Sequence, residues 1–498
     1  MPQPLFPRAA GLLLHPTSLP GPHGAGDLGG VPAFLDWLAS AGMTLWQVLP
    51  LVPPGAADSP YASPSALSGH TGLIALSGLV ADGLLRPEEC VAPNFPSEHA
   101  DFSAAYAWKR PLLEQAADRL RRDAAHPLRR DLARWLGEQR WATDAALFAA
   151  IRRQQEGKPW WQWPRPLRMR VPAALREAQA ALGDEVERGL ALQFLFDRQW
   201  QWIRDHAKHR GIRIIGDVPI YVDGDSVDTW CQPQLFALDS QGEPEWVAGV
   251  PPDYFAEKGQ FWGNPLYDWE AMARDRYRWW TARLRRVLHH VDVVRMDHFR
   301  GFAAYWAIPR AAPDATFGQW RPGPDAALFE ALRRDLGELP LIAEDLGDVD
   351  DAVTTLRQRV GLPGMAVLQF AFGDDSGSPF LPHNHVPHSV VYTGTHDNDT
   401  TLGWWLAHPD QHARVQRYLG PMQAADVPWH FVRAALGSVA HTAIIPVQDA
   451  IGLGSAARMN TPGVTAGNWA WRLPADALDP ALAARLREAA GTFGRCPR

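Results

Sequence analysis

Eight short stretches of the chain are almost continuously apolar and rich in β-branched residues. They cover 10–17, 45–51, 212–221, 291–298, 340–346, 364–372, 389–396 and 442–449. Runs of that length without polar alternation read as strands buried on both faces. Between several of them the apolar positions recur at helical spacing. VPAFLDWLASAG (31–42) and ALFEALRRDLG (327–337) both close on a glycine, as helix C-termini do. Strand alternating with helix predicts a parallel α/β sheet, and eight strands predict its closure into a (β/α)8 TIM barrel.

Two intervals are too long to be simple crossovers. Residues 52–211 carry helical patterns over 104–122, 128–139, 142–156 and 173–205, and predict a mostly helical subdomain inserted after strand two. Its segment 58–66 is expected to line a cleft. Residues 222–290 predict a loop-rich insertion after strand three. Their centre, 247–269, shows neither period and reads as an irregular lid loop, a kind of segment usually kept for function. The remaining pieces are 1–51 (strands one and two), 212–221 (strand three) and 291–498 (strands four to eight and the C-terminal helices).

Composition narrows the function. A chain of 498 residues, 46% hydrophobic, can bury a large core. A net charge of −7 with no basic block argues against nucleic-acid binding. No apolar stretch approaches the ~18 residues of a membrane span. Cys90, Cys231 and Cys496 are scattered and odd in number, so no disulfide framework is expected, which suits the cytosol. The 23 tryptophans serve either a core or flat platforms for sugar rings; Trp160, Trp161 and Trp163, and the pair Trp279 and Trp280, fit both uses.

Three of the eight runs turn polar at a carboxylate: Asp297 in VDVVRMDHFRG, Glu344 in PLIAEDLG and Asp397 in SVVYTGTHDND. A barrel brings its C-terminal strand ends to one face, where the chemistry sits. Three acids in one cleft point to glycosidic bond chemistry. Other uses of these residues stay open at this point. Asp397 would serve as a helix cap, and Asp345 as a partner of Glu344 or a surface acid. Arg295, two positions before Asp297, shares its side of a strand and would form a plain salt bridge or keep Asp297 ionised.

Other motifs carry less. Gly24, Gly26 and Gly29 match a dinucleotide fingerprint, but Pro20 and Pro22 break the strand-to-turn junction, and the next strand ends in no acid. A tight turn into the first helix is expected there. No zinc, serine-hydrolase or phosphate-loop pattern occurs, and neither metal nor organic cofactor is implied. His383 and His385, in a proline-rich loop, read as solvated.

With these residues in view, the chain resembles the amylomaltase family, the 4-α-glucanotransferases or disproportionating enzymes of the α-amylase clan. The likeness runs through LLLHPTSLPGPHGAGDLG, DSPYASPSA (58–66), GIRIIGDVPIYV (211–222), GVPPDYFAEKGQFWGNPLY (249–267), RMDHFRG, AEDLG, GTHDNDTTLGWW and MNTPGVTAGNWAWR (459–472). It departs at 67–71 and at Ala470, away from the three acids. The resemblance implies Asp297 as nucleophile, Glu344 as general acid/base and Asp397 as the carboxylate that grips sugar hydroxyls. Arg295 and His396 would line the same subsite, with Asp345 beside Glu344. Asp217 matches an acid that organises the pocket, and Tyr61 a tyrosine that stacks on the reacting ring. Asp253, Tyr254, Phe255, Gln260 and Trp262 match the lid over the acceptor side, and Asn468 a sugar contact. The implied partners are maltooligosaccharides and α-1,4-glucans, with glucose as acceptor or product. Rival readings are an α-amylase-like hydrolase, a non-catalytic glucan-binding protein and, more distantly, a nucleotide-dependent oxidoreductase.

Overall fold

The computed structural model describes residues 5–252, 257–347, 350–373 and 376–497. Eight parallel strands form the barrel: β1 (Ala9–Leu13), β2 (Leu45–Gln47), β3 (Arg213–Val218), β6 (Val293–Met296), β9 (Leu341–Ala343), β10 (Gly364–Val367), β11 (Ser389–Tyr392) and β12 (Thr442–Pro446). They run β10-β11-β12-β1-β2-β3-β6-β9 around the sheet. The Ala343 N–H reaches the Pro363 carbonyl at 2.9 Å across the remaining seam. Each expected strand is present but shorter than its apolar run. The ladder stops where the runs turn polar, so Asp297 and Glu344 stand one residue beyond β6 and β9.

The helices follow their patterns. Val31–Ser40 buries Val31, Phe34, Leu35 and Leu38 against the barrel, and Gly42 turns the chain with a φ of +72°. The stretch 173–205 is two helices, Pro172–Ala181 and Gly183–His209, meeting at Leu182. The insertion shares the barrel's core through Leu113, Ala116, Phe194, Leu195 and Trp200. Buried ionic ties reinforce the joint. Asp197 takes two hydrogen bonds from Arg286 (2.7 and 2.6 Å) and one from His290 (3.0 Å). Lys109 Nζ donates to Asp27 at 2.8 Å.

Asp27 belongs to the glycine-rich turn, which leads into the first helix. A Cβ on Gly26 would lie 2.2 Å from the Pro16 carbonyl oxygen, so the chain itself fills that space. Among the described residues, no helix is long and apolar enough to cross a membrane.

The segment 247–269 differs from its reading as irregular. It contains β4 (Trp246–Val250) and β5 (Gln260–Pro265), which join β7 (Ala304–Pro309) and β8 (Gln319–Pro322) in an antiparallel sheet ordered β5-β4-β7-β8. Gly249, Pro251, Pro252, Gly259 and Gly263 interrupt any alternation, and the β4–β5 register shifts between Val247 and Gly249. A Cβ on Gly249 would sit 2.2 Å from the Gln260 carbonyl oxygen, so this close pairing needs the glycine that hides the strand.

His383 is exposed, as the solvated reading expects, but His385 differs from it. His385 is buried, with its two ring nitrogens on Ser438 Oγ (2.7 Å) and the Phe380 carbonyl (2.9 Å). His383 pairs with the Tyr418 hydroxyl at 2.8 Å.

Candidate active site

Strand ends β3, β6 and β9 are neighbours, and their polar residues meet. Arg295 points the same way as Asp297, two residues on, and as Asp217 across the β3–β6 register. Its Nη1 donates to Asp217 Oδ2 at 2.7 Å and to Asp297 Oδ1 at 2.9 Å. The Arg295 and Asp217 side chains are almost wholly buried, whereas that of Asp297 is 24% exposed. Burial alone would discourage the Arg295 charge, but the two carboxylates more than offset it and hold the guanidinium protonated. Removing one partner from such a buried pair typically costs about 3–5 kcal/mol.

Glu344 is held differently. Its Oε2 accepts the His298 N–H at 2.7 Å and its Oε1 the Leu346 N–H at 3.2 Å. His298 has a φ of +47°, a left-handed conformation that typically costs a side-chain-bearing residue about 1–3 kcal/mol. That turn, directly after Asp297, aims its N–H at Glu344. Burial pushes the Asp297 carboxyl well above the usual carboxylate range, and Arg295 pulls it part of the way back. Burial pushes Glu344 up as well, with Arg295 opposing and the neighbouring Asp297 adding to the rise. The direct guanidinium contact makes Asp297 the acid that ionises first when the two hold a single proton.

Asp397 arrives from the other side, on the loop after β11. The helix that follows, Thr401–Ala407, is capped by Thr400, whose side chain takes the Gly403 N–H, so Asp397 is not its cap. The Asp397 Oδ1 accepts Asn460 Nδ2 at 2.6 Å, and its carbonyl accepts Arg458 Nη2 at 2.7 Å. Its side chain is 38% exposed and His396 Nε2 lies 3.3 Å from Oδ2.

Tyr61 joins the two halves. Its hydroxyl donates to Asp217 Oδ2 at 2.7 Å and lies 2.8 Å from His396 Nε2. A carboxylate only accepts, so the tyrosine oxygen must accept from His396, which fixes the Nε2–H tautomer. Burial lowers the His396 pKa and keeps that ring neutral. Tyr61 and His396 stack at 5.3 Å and 10°, and Trp469 leans on both. Across the opening, β5 brings Trp262 edge-on to His298, with ring centroids 4.9 Å apart. Gln260 Oε1 accepts the Trp262 indole N–H at 3.0 Å.

A cleft floored by paired carboxylates and walled by aromatic rings is what a sugar chain needs. Residues 14–478 match the family model described as 4-alpha-glucanotransferase. The chain belongs to the 4-alpha-glucanotransferase family.

Named relatives agree. A 4-alpha-glucanotransferase of Thermus thermophilus is 49% identical over 492 residues, covering 97% of this chain and 98% of that protein. The chloroplastic/amyloplastic 4-alpha-glucanotransferase of Solanum tuberosum is 47% identical over 98% of this chain and 86% of its own length. The amylomaltase from Streptococcus agalactiae, solved in complex with acarbose, matches with a TM-score of 0.95 at 35% identity, over 98% of this chain and all of that one.

Within this glucanotransferase barrel, Asp297, Glu344, Asp397, Arg295, His396, Tyr61, Asp217, Gln260 and Trp262 belong to one connected site. Asp217 lies beneath it and is joined to it through Arg295 and Tyr61. Asp345 and Asn468, also expected at the site, form their bonds elsewhere. Asp345 faces away because neighbouring residues of an extended chain alternate sides. Its carboxylate binds Arg357 (2.8 Å) and the Met365 N–H (2.8 Å). Asn468 bonds its own loop, taking the Thr461 N–H at 2.9 Å and donating to the Val464 carbonyl at 2.7 Å. Asp253, Tyr254 and Phe255 lie outside the described residues. Asn460, Arg458, Trp469 and His298 were not singled out from the sequence. Asn460, Trp469 and His298 fall inside the motifs that carry the resemblance and Arg458 directly precedes one of them, and Asn460 and Trp469 bracket the loop that Asn468 staples.

Proposed function

We propose that the enzyme moves α-1,4-glucan segments from one maltooligosaccharide to the 4-hydroxyl of another, or to glucose, by a retaining double displacement. Asp297 attacks the anomeric carbon while Glu344 protonates the departing glycosidic oxygen, leaving a glycosyl ester on Asp297. Glu344, now ionised, takes the proton from the incoming 4-hydroxyl, whose oxygen displaces the ester. Asp397 and His396 hold the donor sugar's hydroxyls, and Tyr61 supports its ring. The observation that carries this reading is the unequal support of two neighbouring carboxyls: a guanidinium bonds Asp297 directly, whereas Glu344 bonds neutral backbone N–H groups and is raised by burial and by the neighbouring Asp297. One is suited to be a nucleophile and the other to hold a proton. We infer a cytosolic setting, in which the three free thiols stay reduced.

Transfer rather than hydrolysis requires that an acceptor glucan outcompete water for the ester. Trp262, over His298 on the rim, covers that approach and offers a face to the acceptor sugar. Pure maltotriose should therefore give glucose and a ladder of longer and shorter oligosaccharides at nearly constant reducing ends. Trp262→Ala should raise the hydrolysed fraction several-fold while donor cleavage continues. Rising reducing ends without longer products from the unaltered enzyme would make it a hydrolase. An unchanged ratio in the variant would remove Trp262 from the argument.

The same assignment fixes the pH dependence. Only the form with Asp297 ionised and Glu344 protonated reacts. Rate is lost on the acid side as Asp297 takes up a proton, and on the alkaline side as Glu344, pushed up to about 8, gives one away. Both limbs lie above the ordinary carboxylate range, so kcat/KM against pH should be a bell centred near or above neutrality. A profile flat into alkali, with a single limb near the pKa of a free carboxylate, would contradict it.

A further inference from the structure

The loop that carries Asp397 is stapled at both ends by one buried acid that plays no part in the mechanism above. Asp449 sits on Val447–Ile451, the short helix after β12. Thr393, just past β11, donates its hydroxyl to Asp449 Oδ2. Thr401, the first residue of the following helix, donates its N–H to Oδ1 at 2.7 Å and its hydroxyl to Oδ2 at 2.8 Å. Asp449 is 2% exposed, and Thr393 and Thr401 are fully buried. The span 393–401 is thus closed into a ring through a single carboxylate. Inside it, Thr395 contributes its N–H and hydroxyl to Asn398 Oδ1 at 2.8 and 2.9 Å, and the Asp397 N–H reaches Thr395 Oγ1 at 3.2 Å. On its outer side, Gln369 Nε2 holds the Asp399 carbonyl at 2.8 Å.

We propose that Asp449, with Thr393 and Thr401, is the positioning residue for Asp397, setting where its carboxylate meets the donor sugar. The inference rests on the reading of Asp397 as the carboxylate that grips that sugar. Three donors converge on one buried carboxylate, and they come from the two ends of the loop. A displacement of ~1 Å in a group of this kind can cost about 10²-fold in rate.

The test is a double-mutant cycle with maltotriose as donor and glucose as acceptor. Asp449→Ala should lower kcat by about 10- to 100-fold and leave the acceptor KM within about twofold. Thr393→Val, which removes one hydroxyl at nearly constant volume, should act in the same direction more weakly, and Thr393→Ser should restore the rate. In an Asp397→Asn background, either change should alter kcat by less than about threefold, because the group being positioned is already lost. Losses that multiply in that background would show general support of the fold and overturn the proposal. An Asp397→Asn enzyme of near-normal rate would instead overturn the reading beneath it, and the proposal with it. Should Asp449→Ala fail to fold, Thr393→Val and Thr393→Ser carry the cycle.

Discussion

Replacing Asp297 with asparagine should slow glucan transfer by at least about 10⁴-fold, with little change in folding. The amide keeps the shape of the side chain, and its oxygen can still accept from Arg295 Nη1, now 2.9 Å from Oδ1. Asp217 also remains on the same guanidinium. What is lost is the anionic oxygen that forms the ester, and no rearrangement of the site supplies another at that position. Initial rates of glucose release from maltotriose, with thermal unfolding measured in parallel, check this. A variant within tenfold of the normal rate would mean that the ester forms elsewhere or not at all.

Glu344→Gln should be nearly as damaging with natural donors, by about 10²- to 10⁴-fold, the usual contribution of a general acid/base. Its signature differs from that of Asp297→Asn in two ways. The alkaline limb of the pH profile should vanish, because the group that titrates there is gone. Activity toward a maltooligosaccharyl fluoride should partly return for the first step, since fluoride leaves without a proton. The second step still lacks its base, so the ester should accumulate. Equal loss on both donors would deny Glu344 the role of acid. Glutamine can still accept the His298 and Leu346 N–H groups through its carbonyl only, so some loosening of the left-handed turn at His298 is expected as well.

Much of this site is legible in the sequence for one reason. In a parallel barrel every strand is apolar until it reaches the catalytic face, so the first polar residues after each run mark that face. Asp297 and Glu344 announce themselves in this way, and the spacing of Arg295 from Asp297 puts both on one side of β6. The same rule misleads one residue further on. Asp345 is as acidic as Glu344, but it points outward to Arg357. Asp449 also ends a run, yet it serves the neighbouring loop rather than the cleft.

What stays hidden depends on loops closing on one another. Asn460 reaches Asp397 from a segment 63 residues away, and nothing in its local pattern distinguishes it from Asn468, which only ties its own loop. The β4–β5 pair is invisible because the glycines and prolines that permit its bulge erase the alternation. The helices of 52–211 are legible from their periodicity. Their attachment to the barrel, through Asp197 with Arg286 and Lys109 with Asp27, is not, since each pair joins residues more than 80 positions apart.

The mechanism turns on a covalent glycosyl ester on Asp297, and trapping that ester tests it without ambiguity. Glu344→Gln enzyme would be mixed with maltotriosyl fluoride, quenched in acid, digested and analysed by mass spectrometry. A glycosyl adduct should appear on the peptide that contains Asp297 and be absent when Asp297→Asn is added. An adduct on any other peptide, or consumption of the fluoride to give inverted product with no adduct, would contradict it.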